Sequence, residues 1–359
     1  MSQPTIILAM SSYSDFASTI KSHLEYHNFN VTFIDSTSEK LKKQIDANFH
    51  YPSLKTHLIH SARKIFLSDY SYKSHLKEQI YNQKLQENIQ STLGNNLYDY
   101  TLVIRPDLFS LPTLQLLKNH TKLKFVGYQW NGIKRFPKTL PTVNLFDRFF
   151  VFDPTDLNNP EYSQYHLSGI SNFYFDMYQP QAVPHTGLIA YFVGLHVDSR
   201  IAAIETCANA LIQNGVNLNF NIKFRPSEAN KAALYSCRQI QFIPENINFE
   251  DNLQYVNTAD ILIDIVNPIH NGLSFRIFEA LYYQKKLITN NPQIKHYDFY
   301  HPDNILVWKK AEDFQQIADF LAKPLVSINP EIVQKYSFAN WIKNILDDYP
   351  SSRYQHNPK

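Results

Sequence analysis

The sequence predicts a two-part α/β protein in which each part is a doubly wound sheet. Three observations predict it. Apolar, strand-like runs alternate with amphipathic helical segments along most of the chain. Residues 261–266 are too apolar and too β-branched for a surface strand, which places them in a parallel sheet covered on both faces. Finally, 359 residues are long for one hydrophobic core and comfortable for two.

Residues 6–10 and 30–35 read as strands around a helix over 15–27. Residues 38–95 are mostly helical, and strands over 100–104, 124–128 and 148–152 resume the sheet. Between 153 and 186, Pro154, Pro160, Pro180 and Pro184 punctuate an irregular segment that reads as the crossing between domains. A second α/β unit opens at Gly187 with a strand over 188–193, a helix over 201–214 and a strand over 218–224. After the strand over 261–266, Asn271 and Gly272 let the chain turn sharply. From Leu273 to Tyr283 the apolar residues recur at helical spacing. Residues 336–347 read as a closing amphipathic helix anchored by Trp341. The expected organisation is therefore a first domain over 1–180, a second over 187–330, and a helix and tail over 331–359 that return to the first domain.

A strand, a glycine turn and a helix in that order build an anion site. The backbone N–H groups at the helix start point outward, and the helix dipole favours negative charge there. Composition draws attention to two such places. The chain has 8 glycines in 359 residues, against an average usage of about 7%. Gly194 ends the run over 188–193, and Gly272 precedes the later helix together with Asn271, Leu273 and Ser274. Steps of four and three residues bring Arg276 and Glu279 round to the side of Gly272. A cation near a phosphate and a carboxylate one turn deeper suit a nucleoside diphosphate with its ribose hydroxyls. The alternative is an exposed ion pair that stabilises the helix by only tenths of a kcal/mol.

Hydrophobic residues make up 44% of the chain, the mean hydropathy is −0.34, and no apolar stretch approaches the roughly 18 residues of a membrane span. The N-terminus lacks a basic segment and reads as a first strand rather than a signal peptide, so a cytoplasmic location is expected. Cys207 and Cys237 are isolated thiols without metal or disulfide spacing. No Asp-x-Asp pair follows a strand, and no essential divalent metal is expected. A net charge of +2 does not imply nucleic acid as a partner. Locally, nine Lys and Arg residues stand against five Asp and Glu between Glu39 and Gln90, interspersed with Phe66, Tyr70, Tyr72 and Tyr81. That stretch reads either as a solvated helical face or as a contact with an anionic membrane surface or acidic acceptor.

Several segments carry a family resemblance: Phe192-Val-Gly-Leu-His-Val-Asp-Ser-Arg200, Gly272-Leu-Ser-Phe-Arg-Ile-Phe-Glu279, Lys285-Lys-Leu-Ile-Thr-Asn-Asn291 and Tyr297-Asp-Phe-Tyr-His-Pro-Asp-Asn304. In the first half they are joined by Tyr128-Gln-Trp-Asn131 and Phe146-Asp-Arg-Phe-Phe-Val-Phe-Asp-Pro-Thr-Asp156. On these residues the chain resembles bacterial glycosyltransferases of the two-domain GT-B type. These are the group-1-like enzymes of lipopolysaccharide and capsule synthesis, related to spore-maturation glycosyltransferases. The resemblance implies two facing Rossmann-like domains. It implies a sugar-nucleotide donor, UDP-linked by preference, held as a substrate with no separate cofactor. Gly194, Arg276 and Glu279 would be donor contacts, with Arg200 and Arg225 neutralising the leaving diphosphate. The acceptor would be a glycan or lipid-linked glycan, which brings peripheral contact with the inner membrane face into view. Asn131 stands where relatives usually carry Asp, and His270 where they usually carry Gln. An amide cannot accept a proton at neutral pH, so Asn131 is no candidate base.

An inverting enzyme of this class needs a general base for the acceptor hydroxyl. Asp15 and Asp107 both lie at predicted C-terminal strand ends, where aspartate also serves as a helix cap or turn former. His270 is a third candidate, or a hydrogen-bonded positioning group. Two other functions fit the same pattern, a sugar-nucleotide epimerase and a non-catalytic sugar-nucleotide-binding subunit.

Overall fold

The computed structural model describes residues 3–12, 16–266 and 271–346. Its contacts divide the chain into two compact units, Met1–Gln129 with Phe136–Phe149, and Trp130–Arg135 with Phe150–Lys359.

The first sheet is built from β1 (Thr5–Met10), β2 (Asn30–Asp35), β3 (Tyr98–Ile104), β4 (Thr121–Gln129), β5 (Arg148–Val151) and β6 (Leu167–Gly169). Around these strands run α1 (Phe16–Tyr26), α2 (Glu39–Ala47), α3 (Leu54–Leu67), α4 (Ser71–Leu93), α5 (Leu111–Asn119) and α6 (Pro154–Leu157). The strand order is β2-β1-β3-β4-β5-β6. β1 lies between β2 and β3 and pairs with both in parallel, Leu8 opposite Phe33 on one side and Leu102 on the other. Its residues Ile6 to Met10 are all buried, as a strand covered on both faces requires. The order reverses between β1 and β3, the point at which doubly wound sheets bind ligands. The helical stretch read over 38–95 is three helices. Ser38 and Ser53 cap the first two by accepting from the amides of Leu41 and Thr56.

The second sheet contains β7 (Ile189–Leu195), β8 (Asn217–Lys223), β9 (Ile240–Ile243), β10 (Ile261–Asp264), β11 (Lys286–Thr289) and β12 (Ile305–Val307). Its helices are α7 (Ile201–Gln213), α8 (Phe249–Thr258), α9 (Phe275–Tyr282), α10 (Ile317–Ala322), α11 (Pro330–Lys335) and α12 (Phe338–Leu346). The order is β12-β11-β10-β7-β8-β9. The chain runs outward from β7 to β9, returns to the other side of β7 and continues to β12, so the reversal lies between β7 and β10. One face carries Ile204, Ala208 and Leu211 of α7, and the other Leu253, Val256, Ile277 and Phe278 of α8 and α9.

β9 is a four-residue strand with Gln241 and Phe242 exposed, too short and too irregular in burial to leave a period in the sequence. α9 begins at Phe275 rather than at Leu273, because Ser274 takes the N-cap position and Leu273 is drawn into the core. α12 covers the expected amphipathic stretch, with Trp341 buried against Phe173 at a centroid distance of 4.5 Å. Asp176 fixes its start by accepting from the Ala339 amide at 2.9 Å. Among the described residues no helix is long and apolar enough to cross a membrane.

Candidate functional site

The C-terminal ends of β7 and β10 flank the reversal of the second sheet and open on a cavity of about 340 Å³. That volume sits at the lower end of the roughly 300–1,000 Å³ of small-molecule sites. The cavity is lined by Val193, Gly194 and Arg200, by Ile263 to Val266, and by Gly272, Ser274, Phe275 and Arg276.

Gly194 leaves little room for a side chain. A Cβ there would come within 3.1 Å of the Phe192 ring and 3.5 Å of the Arg200 guanidinium. The loop from Leu195 to Arg200 is tethered through buried His196, whose ring contacts the Tyr235 hydroxyl at 3.0 Å and Asp198 at 2.8 Å. This brings Arg200 to the cavity with its guanidinium 5.5 Å from the Phe192 ring centre. Among the described residues Arg200 makes no ion pair, and its Nε is buried without a hydrogen-bond partner. Burial lowers its pKa, and the charge of Asp264 works in the opposite direction. The residue as a whole is half-buried, so its charge lies in the cavity wall with no acidic partner among the described residues.

Asp264 is a cavity residue that sequence reasoning passed over. It ends β10, 7% exposed, and both its oxygens are engaged: Ser274 Oγ donates to one and Thr289 Oγ1 to the other, each at 2.7 Å. The available signal was a charged residue closing an otherwise apolar strand. Ser274 holds the N-cap position of α9, yet its hydroxyl is turned to Asp264 and makes no cap hydrogen bond.

Gly272 serves a different purpose from the turn expected of it. Its backbone is not in the left-handed region. Phe152 packs so closely that an added Cβ would overlap its ring and approach its carbonyl oxygen to 2.8 Å. Three distant side chains hold this segment. Asp153 accepts from the Asn271 amide at 2.9 Å, Asn172 donates to the Leu273 carbonyl at 2.9 Å, and Asn291 reaches the carbonyls of Asn271 and Gly272 at 3.5 Å. Asn290 accepts from the Val266 amide at 2.7 Å. The segments over 146–156 and 285–291 thus act as supports for the cavity wall.

Arg276 and Glu279 do lie on one helix stripe, paired at 2.7 Å. Only Arg276 lines the cavity. Glu279, 7% exposed, accepts from Asn252 Nδ2 at 3.2 Å, while Arg276 donates to Asn252 Oδ1 at 3.0 Å and stacks 4.7 Å over Tyr191. Arg225 is away from the cavity lining, exposed and beside Glu228 at 3.4 Å. Asn271 is exposed, and Leu273 is a core residue that presents no side chain to the cavity.

In the first unit, Asp107 follows β3 beside the reversal of its sheet. Arg105 grips both its oxygens, Nε at 2.7 Å and Nη2 at 2.6 Å, and Gln129 donates a further bond at 3.1 Å. Arg105 is left-handed at φ 62° and lies 3.7 Å over the Phe136 ring. Asp15 and His270 lie outside the described residues.

Two doubly wound Rossmann-like sheets, with a ligand-sized cavity at the reversal of the second, define the GT-B architecture. Solved structures agree with that fold. A glycosyltransferase from Rickettsia africae superposes with a TM-score of 0.52 at 13% identity, over 97% of this chain and 100% of its own. HepE of Anabaena, solved with UDP and glucose, gives 0.50 at 10% identity over 96% of each chain. An alpha-glucosyltransferase in complex with UDP gives 0.51 at 10% identity over 95% of each. No protein-family model matches the chain, and no curated protein is significantly similar to it in sequence.

Proposed function

We propose that this protein is a glycosyltransferase that takes a sugar from a nucleoside-diphosphate donor, UDP-linked, and passes it to a cell-surface glycan such as lipopolysaccharide or capsule. The observation that carries the reading is Arg200: a half-buried guanidinium whose Nε is buried and unsatisfied, beside a cavity at a sheet reversal. The start of α9 lines the same cavity, and helix amides and dipole favour negative charge there. In this reading Arg200 and the α9 start hold the diphosphate and stabilise it as it leaves. Gly194 and Gly272 keep the backbone close enough to reach it. Arg276 flanks it, oriented by Glu279 and Asn252. No metal is assigned to the step. The first unit takes the acceptor beside β3, where Asp107, which also fixes Arg105, would orient or deprotonate the hydroxyl; Asp15, outside the described residues, is the other candidate base. UDP solved with two of the similar folds supports uracil as the base.

Calorimetric titration of the protein with UDP, GDP, CMP and dTDP tests this directly. Selective binding of UDP is expected, and its loss in Arg200→Gln assigns the binding to this cavity. Absence of binding by every nucleotide overturns the reading. Conversion of a UDP-sugar without acceptor would instead show an epimerase.

A further inference from the structure

We infer that a second cavity, in the second compact unit, binds a small apolar monocarboxylate. The cavity measures about 150 Å³ and lies by the starts of β11 and β12, against α9. Its lining shares no described residue with that of the larger cavity. One helix serves both: Phe275 and Arg276 line the larger cavity, while Ile277, Ala280 and Leu281 line this one. Ile277, Ala280, Leu287 and Ile305 are all buried and make its interior apolar. Residues 323–329 form neither helix nor strand, and Leu325 and Val326 from this segment join the lining. Asn304 ties the segment down, its Nδ2 donating to the Val326 carbonyl and its Oδ1 accepting from the Val326 amide, each at 2.8 Å. Leu325 and Val326 nevertheless stay 42% and 38% exposed, so apolar surface continues from the cavity to solvent. That is the side from which an apolar body can enter.

Size sets the body of the ligand. An apolar cavity of this volume admits a benzene-sized group, about six carbon atoms. Charge sets its head. Lys285 is the one charged side chain among the described lining residues. It is half-buried, and its ammonium donates to the Asn257 carbonyl at 2.8 Å and makes no ion pair among the described residues. The charge of Asp260 acts on it, but that carboxylate is already engaged by the Ile189 amide at 2.8 Å and stands 3.5 Å from His185. An ammonium has three donors, so further ones remain for a carboxylate. Gln284 precedes it in the chain and lines the same cavity. Its backbone is left-handed at φ 52°, at a helix end where glycine or asparagine is usual. A glutamine there is strained, and it keeps an amide donor next to Lys285 in the chain. An apolar interior with a cation and an amide at its edge, and no acid, complements an apolar carboxylate; an amine of the same size would meet like charge. This inference goes beyond the donor-site reading and does not rest on it.

The test is a saturation-transfer NMR titration of the full chain with hexanoate, 1-hexanol and hexylammonium. Hexanoate should bind at least about tenfold more tightly than either of the other two, the size of one charge-assisted contact. Lys285→Met keeps the stem and removes the charge, and it should bring hexanoate to the level of hexanol. Val333→Trp adds a ring to the cavity lining and should abolish hexanoate binding. Arg200→Gln should leave hexanoate binding unchanged, and saturating UDP should not displace it, so failure of the donor-site reading would not touch this one. Melting curves show whether each variant folds; if Val333→Trp does not, Lys285→Met decides alone. Equal binding of the three probes, absence of binding, or hexanoate binding that Lys285→Met or a folded Val333→Trp leaves intact overturns the proposal. So does loss of hexanoate binding in Arg200→Gln, which would place the carboxylate in the larger cavity.

Discussion

Ser274 occupies the N-cap of α9, but its hydroxyl donates to Asp264 Oδ1 at 2.7 Å and makes no cap bond to the helix. A serine at this position ordinarily spends its side chain on an amide of the first turn. Here that side chain is diverted to hold the carboxylate that ends β10, and Thr289 holds its other oxygen. Among the described residues Asp264 is the one acidic side chain lining the cavity, and two hydroxyls fix it.

Arg200 should trade stability for binding. Arg200→Met removes a half-buried cation that has no ion-pair partner among the described residues, while keeping most of its apolar stem against Phe192. The melting temperature of the unliganded protein should stay level or rise. UDP affinity should fall ten- to a hundredfold, the size of about 1.5–3 kcal/mol for hydrogen bonds to a charged group. A variant that is less stable yet binds UDP normally would place Arg200 among structural residues.

Gly272→Ala should destabilise by about 1–3 kcal/mol, the range for overpacking a filled site. The cause is Phe152, whose ring occupies the position of the new Cβ. Trimming the ring in Gly272→Ala/Phe152→Leu should cost less than the sum of the two single changes, measured by urea denaturation. Simple additivity would mean the two residues are not coupled.

Glu279→Ala should lower stability by about 2–4 kcal/mol, because it strips the partner from a largely buried arginine and from Asn252. That loss would mask any role in ribose binding. Glu279→Gln keeps the shape and one acceptor oxygen, so its UDP affinity separates a ribose contact from support of Arg276. Because Glu279 does not line the cavity, near-normal binding is expected. Clearly weakened binding with a normal melting curve would show that Glu279 reaches the ribose.

Asp156 gives the fold a pH dependence. Burial pushes its carboxyl up from 3.8 to about 6, opposed by a hydrogen bond from the Ile133 amide and assisted by Asp153. The folded state holds this proton more tightly than the unfolded chain. The contribution is therefore fully present below about pH 4 and is lost as pH rises through about 6. Its ceiling is ~3 kcal/mol for a shift of this size. Asp156→Asn should remove the loss, so its melting temperature relative to the parent should increase between pH 4 and pH 8. A difference that stays flat or falls over that interval contradicts the assignment.

Transfer should proceed in excess EDTA, because Arg200 and the α9 start are assigned the charge that a metal supplies in other enzymes. Assays with UDP-sugar and acceptor, before and after chelation, decide it. Activity lost to EDTA and restored by magnesium or manganese would require a cation at the diphosphate.

Local periodicity was enough to read the central strands of both sheets, while the short edge strands β6, β9 and β12 left no period to read. The buried run of β10, the three-helix stretch after β2 and the amphipathic α12 are each determined by contiguous residues. The same holds for Gly194 and Gly272, since a scarce glycine at a strand end or helix start is a local signal. What the sequence could not weigh was which side chains converge. Arg200 and Arg225 both follow strands, and in sequence they are equivalent; His196, bonded to Tyr235 and Asp198, draws only the loop of Arg200 to the cavity. Asp153 lies far along the chain from the Asn271 amide it supports, and Phe152 is what makes Gly272 obligatory. Asp264 gains its meaning from Ser274 and Thr289, and Glu279 from Asn252. Helix and strand periods depend on neighbours three, four or two residues away, so they are written in the chain. The pairing of polar groups in the cavity wall depends on which distant segments folding brings within 3 Å, and that only the tertiary structure decided.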